Sequence, residues 1–253
     1  MAKSPSGRVP SRHPKGLSLG VTLPFLLLLL LLGCREDTSS VTSSSAIPVQ
    51  FTLSRGDYFR YNNWKLDEYG FRIISSRFGD SWIVADTGRS HNGRYPVAFV
   101  TDSVFATTSG GADSLTRVDT LYLHISSQGD IEQFGFLKSL LERRQGVAIQ
   151  PTWDRIAAFS MGTSQRWIVG YADTAMAEPV YGLIENQREF VAVEVNGTQT
   201  LLLAYRVNID SPDLEVTIWI TDAPSALLRL RDESLHSTLG SMKEIELLRS
   251  VGR

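Results

Sequence analysis

The side chains in this 253-residue sequence that could do chemistry are few and scattered. Beyond residue 48 the histidines are His91, His124 and His236, and no two fall within metal-ligand spacing of each other. His124 alternates with Leu123 and Ile125, as a solvent-side strand residue does. His91 lies in Arg89-Ser90-His91-Asn92-Gly93, a polar hairpin tip of the kind from which loops supply function. Asp80, Asp86 and Asp102 offer carboxylates for proton transfer, and spacing alone brings no two of them together. Arg229 and Arg231 are two apart on a strand and share a face, where they could grip an anionic headgroup or pair with Glu233. Asn196-Gly197-Thr198 matches a glycosylation acceptor, and Asn-Gly is equally what a tight hairpin demands. A nucleophile elbow G-x-S-x-G, H-E-x-x-H, a P-loop and G-x-G-x-x-G are all missing from the sequence. No catalytic residue, cofactor or metal site is expected. The single cysteine, Cys34, excludes an internal disulfide framework and a multi-cysteine metal site.

Cys34 instead draws its meaning from what precedes it. Lys3, Arg8, Arg12 and Lys15 form a basic segment, and an apolar run from Leu17 to Leu32 follows, ending in seven consecutive leucines. This is the layout of an export signal. Sixteen helical residues span ~24 Å, short of a ~30 Å hydrocarbon core, and Pro24 interrupts the run. Leu31-Leu32-Gly33-Cys34 resembles the lipobox of bacterial lipoproteins. That resemblance implies cleavage before Cys34, lipid on its thiol and attachment to a membrane. Leu32 departs from the usual small residue at its position. Arg35, rather than aspartate, after the cysteine implies the outer membrane, facing the periplasm. One acyl chain binds a membrane only marginally, whereas the two or three chains of such lipoproteins hold firmly. Seven of the eight residues from Thr38 to Ser45 are Ser or Thr, so 34–48 reads as a lipidated cysteine on a flexible tether.

Charge and composition narrow the partners of the rest. Residues 1–33 carry four bases and no acid, so the remaining 220 residues hold 21 bases and 27 acids, a net of −6. Nucleic acid is therefore not an expected partner. With 42% hydrophobic residues the chain can bury a core.

The elements that must position these residues follow a period of two. Candidate strands are 57–66, 69–76, 81–86, 95–105, 119–126, 130–136, 153–160, 165–171, 187–195, 199–209, 214–221 and 226–232. Leu214, Val216, Ile218 and Ile220 share one face of the clearest strand. Leu137, Leu140 and Leu141 mark one short helix, 137–145. Residues 242–251 fit a strand or a helical turn. At Asn196-Gly197 a three-residue loop would place Val191, Val193, Leu201 and Leu203 on one buried face, and this register is expected. Trp64, Trp82, Trp153, Trp167 and Trp219 fit core and sheet-edge positions, or the floor of an apolar groove. The pattern predicts one mainly β domain over 49–253, a strongly curved antiparallel sheet, and the resemblance given next implies a half-barrel.

Asp57-Tyr58-Phe59, Asp119-Thr120-Leu121-Tyr122-Leu123 with Gly129-Asp130, and Trp219 with Pro224 and Leu228-Arg229-Leu230 resemble segments of bacterial envelope proteins. The Trp219 strand turning into Leu-Arg-Leu is similar to the closing hairpin of half-barrel, Lol-type lipoprotein carriers. The resemblance implies a lipid-anchored, non-catalytic envelope protein that binds an apolar or lipid ligand. The alternative is an envelope scaffold or protein-interaction module with a filled core and an exposed patch. A hydrolase, using His91 or an aspartate pair, is the third reading.

Overall fold

Alternating burial along short, turn-bounded runs is what builds the molecule. The computed structural model describes residues 46–47, 49, 51–107, 113–145, 149–172, 178–222, 224–233 and 240–250, so Cys34, the Ser/Thr tether and His236 lie outside the described residues. The strands in chain order are β1 (Tyr58–Leu66), β2 (Arg72–His91), β3 (Arg94–Thr107), β4 (Asp113–Ile125), β5 (Ile131–Phe134), β6 (Trp153–Ala157), β7 (Arg166–Tyr171), β8 (Pro179–Ile184), β9 (Glu189–Val195), β10 (Thr198–Ser211), β11 (Leu214–Asp222), β12 (Ser225–Asp232) and β13 (Ser241–Arg249). One helix, α1 (Phe136–Gln145), joins β5 to β6, and a 3-10 turn spans Phe159–Met161.

All described pairings are antiparallel, and the sheet runs β6-β5-β4-β3-β2-β1-β13-β12-β11-β10-β8-β7, with β9 pairing β10. The sheet curves until its edges, β6 and β7, meet. There the Trp167 indole N–H donates to the Arg155 carbonyl at 2.8 Å, and among the described residues no backbone ladder joins the two strands. The curved antiparallel sheet with one short helix is thus as the sequence predicts, closed further than a half-barrel.

Two apolar groups fill it. The first gathers Leu214, Val216, Ile218 and Ile220 of β11 with Phe136, Leu137, Leu140 and Leu141 of α1, whose spacing puts them on one helix face. The second joins Phe59, Tyr61, Val100 and Ile245 to Trp219, Leu228, Val191 and Val193. β8 and β9 pair with successive halves of β10, Ile184 opposite Val207 and Glu189 opposite Ala204. The interruption at 185–188 bends the β9–β10 arm over this second group. Asn196 pins its tip: the side-chain oxygen accepts from Leu248 N–H at 3.1 Å, and the backbone N–H donates to the Glu246 carbonyl at 2.9 Å.

Several expectations require correction. Val195 pairs directly with Thr198, so the hairpin loop has two residues, not three. Asn196 (φ 56°) and Gly197 (φ 73°) both take left-handed conformations, the turn whose twist matches paired strands. The premise of one fully buried face fails, because Phe190 and Leu201 are 71% and 66% exposed while Val191 and Val193 are buried. Residues 72–76 of the first run and the whole of 81–86 are parts of one 20-residue strand, β2, held between β1 and β3 through Phe78-Gly79-Asp80. Register shifts near Val84, Asp86 and Arg89 break its alternation, which hides the strand's length from a period-two reading. β8 escapes the reading altogether, since a leading proline and an internal glycine argue against a strand. Residues 241–249 are a strand.

Candidate functional site

Of the carboxylates that the sequence offers, Asp80 and Asp102 converge and Asp86 does not. β1, β2, β3 and β13 lie side by side, and their registers place Lys243 opposite Asn63, Tyr61 opposite Asp80 and Trp82 opposite Asp102. With a strand period of two, all six side chains fall on one face. Asp80 and Asp102 are 3% and 7% exposed, and Tyr61 is buried with them. Lys243 forms an ion pair with Asp80 and sits over the Trp82 and Tyr61 rings, 4.6 and 5.1 Å from their centroids. Burial raises the Asp102 carboxyl above the usual carboxylate range; nearby Lys243 opposes this and Asp80 adds to it. Burial, followed by the charges of Asp80 and Asp102, lifts the Tyr61 phenol well above its ordinary value. Asp80 Oδ1, Asp102 Oδ1, Asn63 Nδ2 and Trp82 Nε1 are buried without a hydrogen-bond partner. This is a buried charged row with proton-holding capacity, closed to a bulky substrate. Lys243 went unnoticed in the sequence because 242–251 had no assigned period; read as a strand, Lys243 and Ile245 share a face.

Asp86 is on the surface, its carboxyl held below the ordinary range by the Gly88 N–H first and by Arg89. His91 is not a free hairpin tip. Its ring stacks on Tyr122 with centroids 3.7 Å apart and planes 4° from parallel, and Phe99, Phe134 and Trp153 meet it edge-on or tilted. His124 faces Trp153 as well and bonds the Pro96 carbonyl through Nδ1 at 2.8 Å. The structure therefore brings both histidines to one aromatic cluster, where the His124 ring bonds a backbone carbonyl and the His91 ring stacks on Tyr122. Among the described residues no group of three His, Cys, Asp or Glu could hold a metal ion.

Arg229 and Arg231 are both engaged. Arg229 pairs with Glu244 at 2.7 Å and donates to the Ala192 carbonyl, while Arg231 pairs with Glu233 at 2.6 Å and donates to the Gly70 carbonyl. The Asn196 amide is committed to Leu248, which explains the Asn-Gly-Thr sequence as turn chemistry. Trp64 lies under Arg72, Trp219 donates to Glu189 beneath the β9–β10 arm, and Trp167 closes the seam.

An apolar cavity lined by Phe51, Phe59, Trp82, Val100, Leu123 and Ile220 measures about 30 Å³. Two larger spaces are grooves rich in charge: about 500 Å³ beside Arg166, Arg206 and Glu215, and about 470 Å³ beside Arg60, Glu194 and Glu246. Large apolar side chains stand outside instead, among them Tyr69, Phe71, Ile74, Phe190 and Leu201.

Two solved structures align over 80% of this chain. One is a candidate exported protein with a YmcC-like fold from Bacteroides fragilis, 10% identical, TM-score 0.42, with its whole length covered. The other is a candidate lipoprotein from Parabacteroides distasonis, 12% identical, TM-score 0.40, covered over 99%. No protein-family model and no curated relative matches the sequence.

Proposed function

We propose that this chain is a lipid-anchored protein of the cell envelope whose β-domain works as a scaffold or protein-interaction module. In this reading residues 1–33 are the export leader, Cys34 carries the lipid, 34–48 form the tether and 49–253 the working domain. The filled interior carries the choice of module over carrier. A site for a drug-sized apolar ligand takes ~300–1,000 Å³, and the apolar cavity of about 30 Å³ is an order of magnitude smaller. Exposed Phe190 and Leu201 on the outer face of the β9–β10 arm add the apolar surface such a module would use. The hydrolase reading loses its basis at Asp80 and Asp102, whose burial keeps substrate away. The anchoring half of the proposal rests on the leucine run that ends at Gly33-Cys34, and on the outer-membrane implication of Arg35. Cys34→Ser should abolish labelling by radioactive palmitate and block removal of the leader. Labelling that persists in this variant would contradict the anchor.

A further inference from the structure

β4 is paired unequally along its two edges. Its inner edge follows β3 from Asp113 to His124, whereas its outer edge meets β5 only at Leu123, His124 and Ile125. Among the described residues no strand lies against the outer edge of Asp113–Leu121, and Asp113 through Thr120 are all exposed. Both faces of this stretch are wet, and Leu115 and Val118 are 57% and 53% exposed. Such an edge presents a row of backbone donors and acceptors ready to pair with another strand.

The side chains select the partner. Turned antiparallel against itself about Val118, the strand sets Arg117 opposite Asp119 twice and Val118 opposite Val118. Opposite charges directly across from each other are favourable cross-strand neighbours. Shifting the axis by one residue in either direction sets Arg117 against Arg117 or Asp119 against Asp119, so charge fixes the register. Within one chain Arg117 already bonds Asp119 at 2.8 Å, both half-exposed. In a dimer the two such surface pairs, one in each chain, are exchanged for two across the axis, at little cost. A bulge at Thr116, where the register against β3 shifts, confines regular pairing to the residues around Val118.

We infer that the outer edge of β4 pairs antiparallel with the same edge of a second copy of this chain, across a twofold axis at Val118. The inference names one partner for the interaction-module reading and rests on it. The experiment is sedimentation of the full chain in detergent under reducing conditions, with circular dichroism to verify folding. Wild type should be dimeric. Arg117→Asp and Asp119→Arg should each weaken the dimer at least tenfold, by placing like charges across the axis. The double variant, in which the two charges are exchanged, should restore it. A monomeric wild type overturns the pairing, as does a dimer that both single variants leave intact or that the double variant fails to restore. Any of these leaves the interaction module itself standing, since that reading is tested by the absence of apolar cargo.

Discussion

Asp154 shows how a single buried acid can govern the response of this fold to pH. It is 1% exposed at the seam between β6 and the start of α1, where its carboxylate accepts the Leu137 N–H and the Thr152 hydroxyl, each at 2.8 Å. Burial outweighs those bonds and raises the carboxyl from 3.8 to about 6. Between these values the folded chain holds a proton that the unfolded chain has released. The resulting stabilisation is fully present below about pH 4, declines as the pH rises through about 6, and is gone above it. A shift of this size corresponds to roughly 3 kcal/mol. Asp102, also raised by burial, adds in the same direction. Asp154→Asn keeps an oxygen for the Leu137 N–H and has nothing to ionise. Urea unfolding at pH 4.5 and 7 should give a wild-type chain more stable at the lower pH and a variant whose two values lie much closer. An unchanged difference would mean that Asp154 does not carry the effect. The residue's type was visible in the sequence; its burial, which gives it this behaviour, comes from helix packing that no local pattern records.

At the scale of elements, the closure of the sheet depends on a strand that the sequence conceals. A Cβ on Gly182 of β8 would lie 2.4 Å from the Cε2 and Cζ2 atoms of the Trp167 ring, and Trp167 is buried and bonded to Arg155 across the seam. Glycine is there to let the ring lie flat on the backbone. Gly182→Ala should therefore cost ~1–3 kcal/mol through overpacking, read as a lowered urea midpoint. A midpoint unmoved from wild type would show that the seam tolerates the methyl group. The same glycine, with Pro179, is why β8 could not be found by period, whereas β11, with four apolar residues on one face, was plain. The Asn196-Gly197 turn was legible as a turn. Its register was not, because that depends on which side of the arm meets Trp219 and Leu228, a tertiary matter. Asp80 and Asp102 were visible as candidates, and their meeting required knowing that β2 runs unbroken through Gly79. Lys243 became part of the row only once 241–249 was a strand.

At the scale of the whole molecule, the barrel is packed with its own side chains. Leucines of α1 and strand residues of β11 occupy the volume that a carrier would leave for cargo, and the apolar surplus stands outside on Tyr69, Phe71, Phe190 and Leu201. Leu201 and Phe190 sit on an arm fixed at its tip by Asn196, a rigid platform suited to contact with another protein surface. Polar residues within the barrel, Asp80 with Lys243 foremost, further disfavour an acyl chain as guest. The most direct measurement is native mass spectrometry of the compact unit Ser43–Arg253, purified from cells and then incubated with fatty acid or phospholipid. A domain packed in this way should show the mass of the polypeptide alone, or of its dimer, before and after incubation. A one-to-one non-covalent complex with either lipid would contradict it.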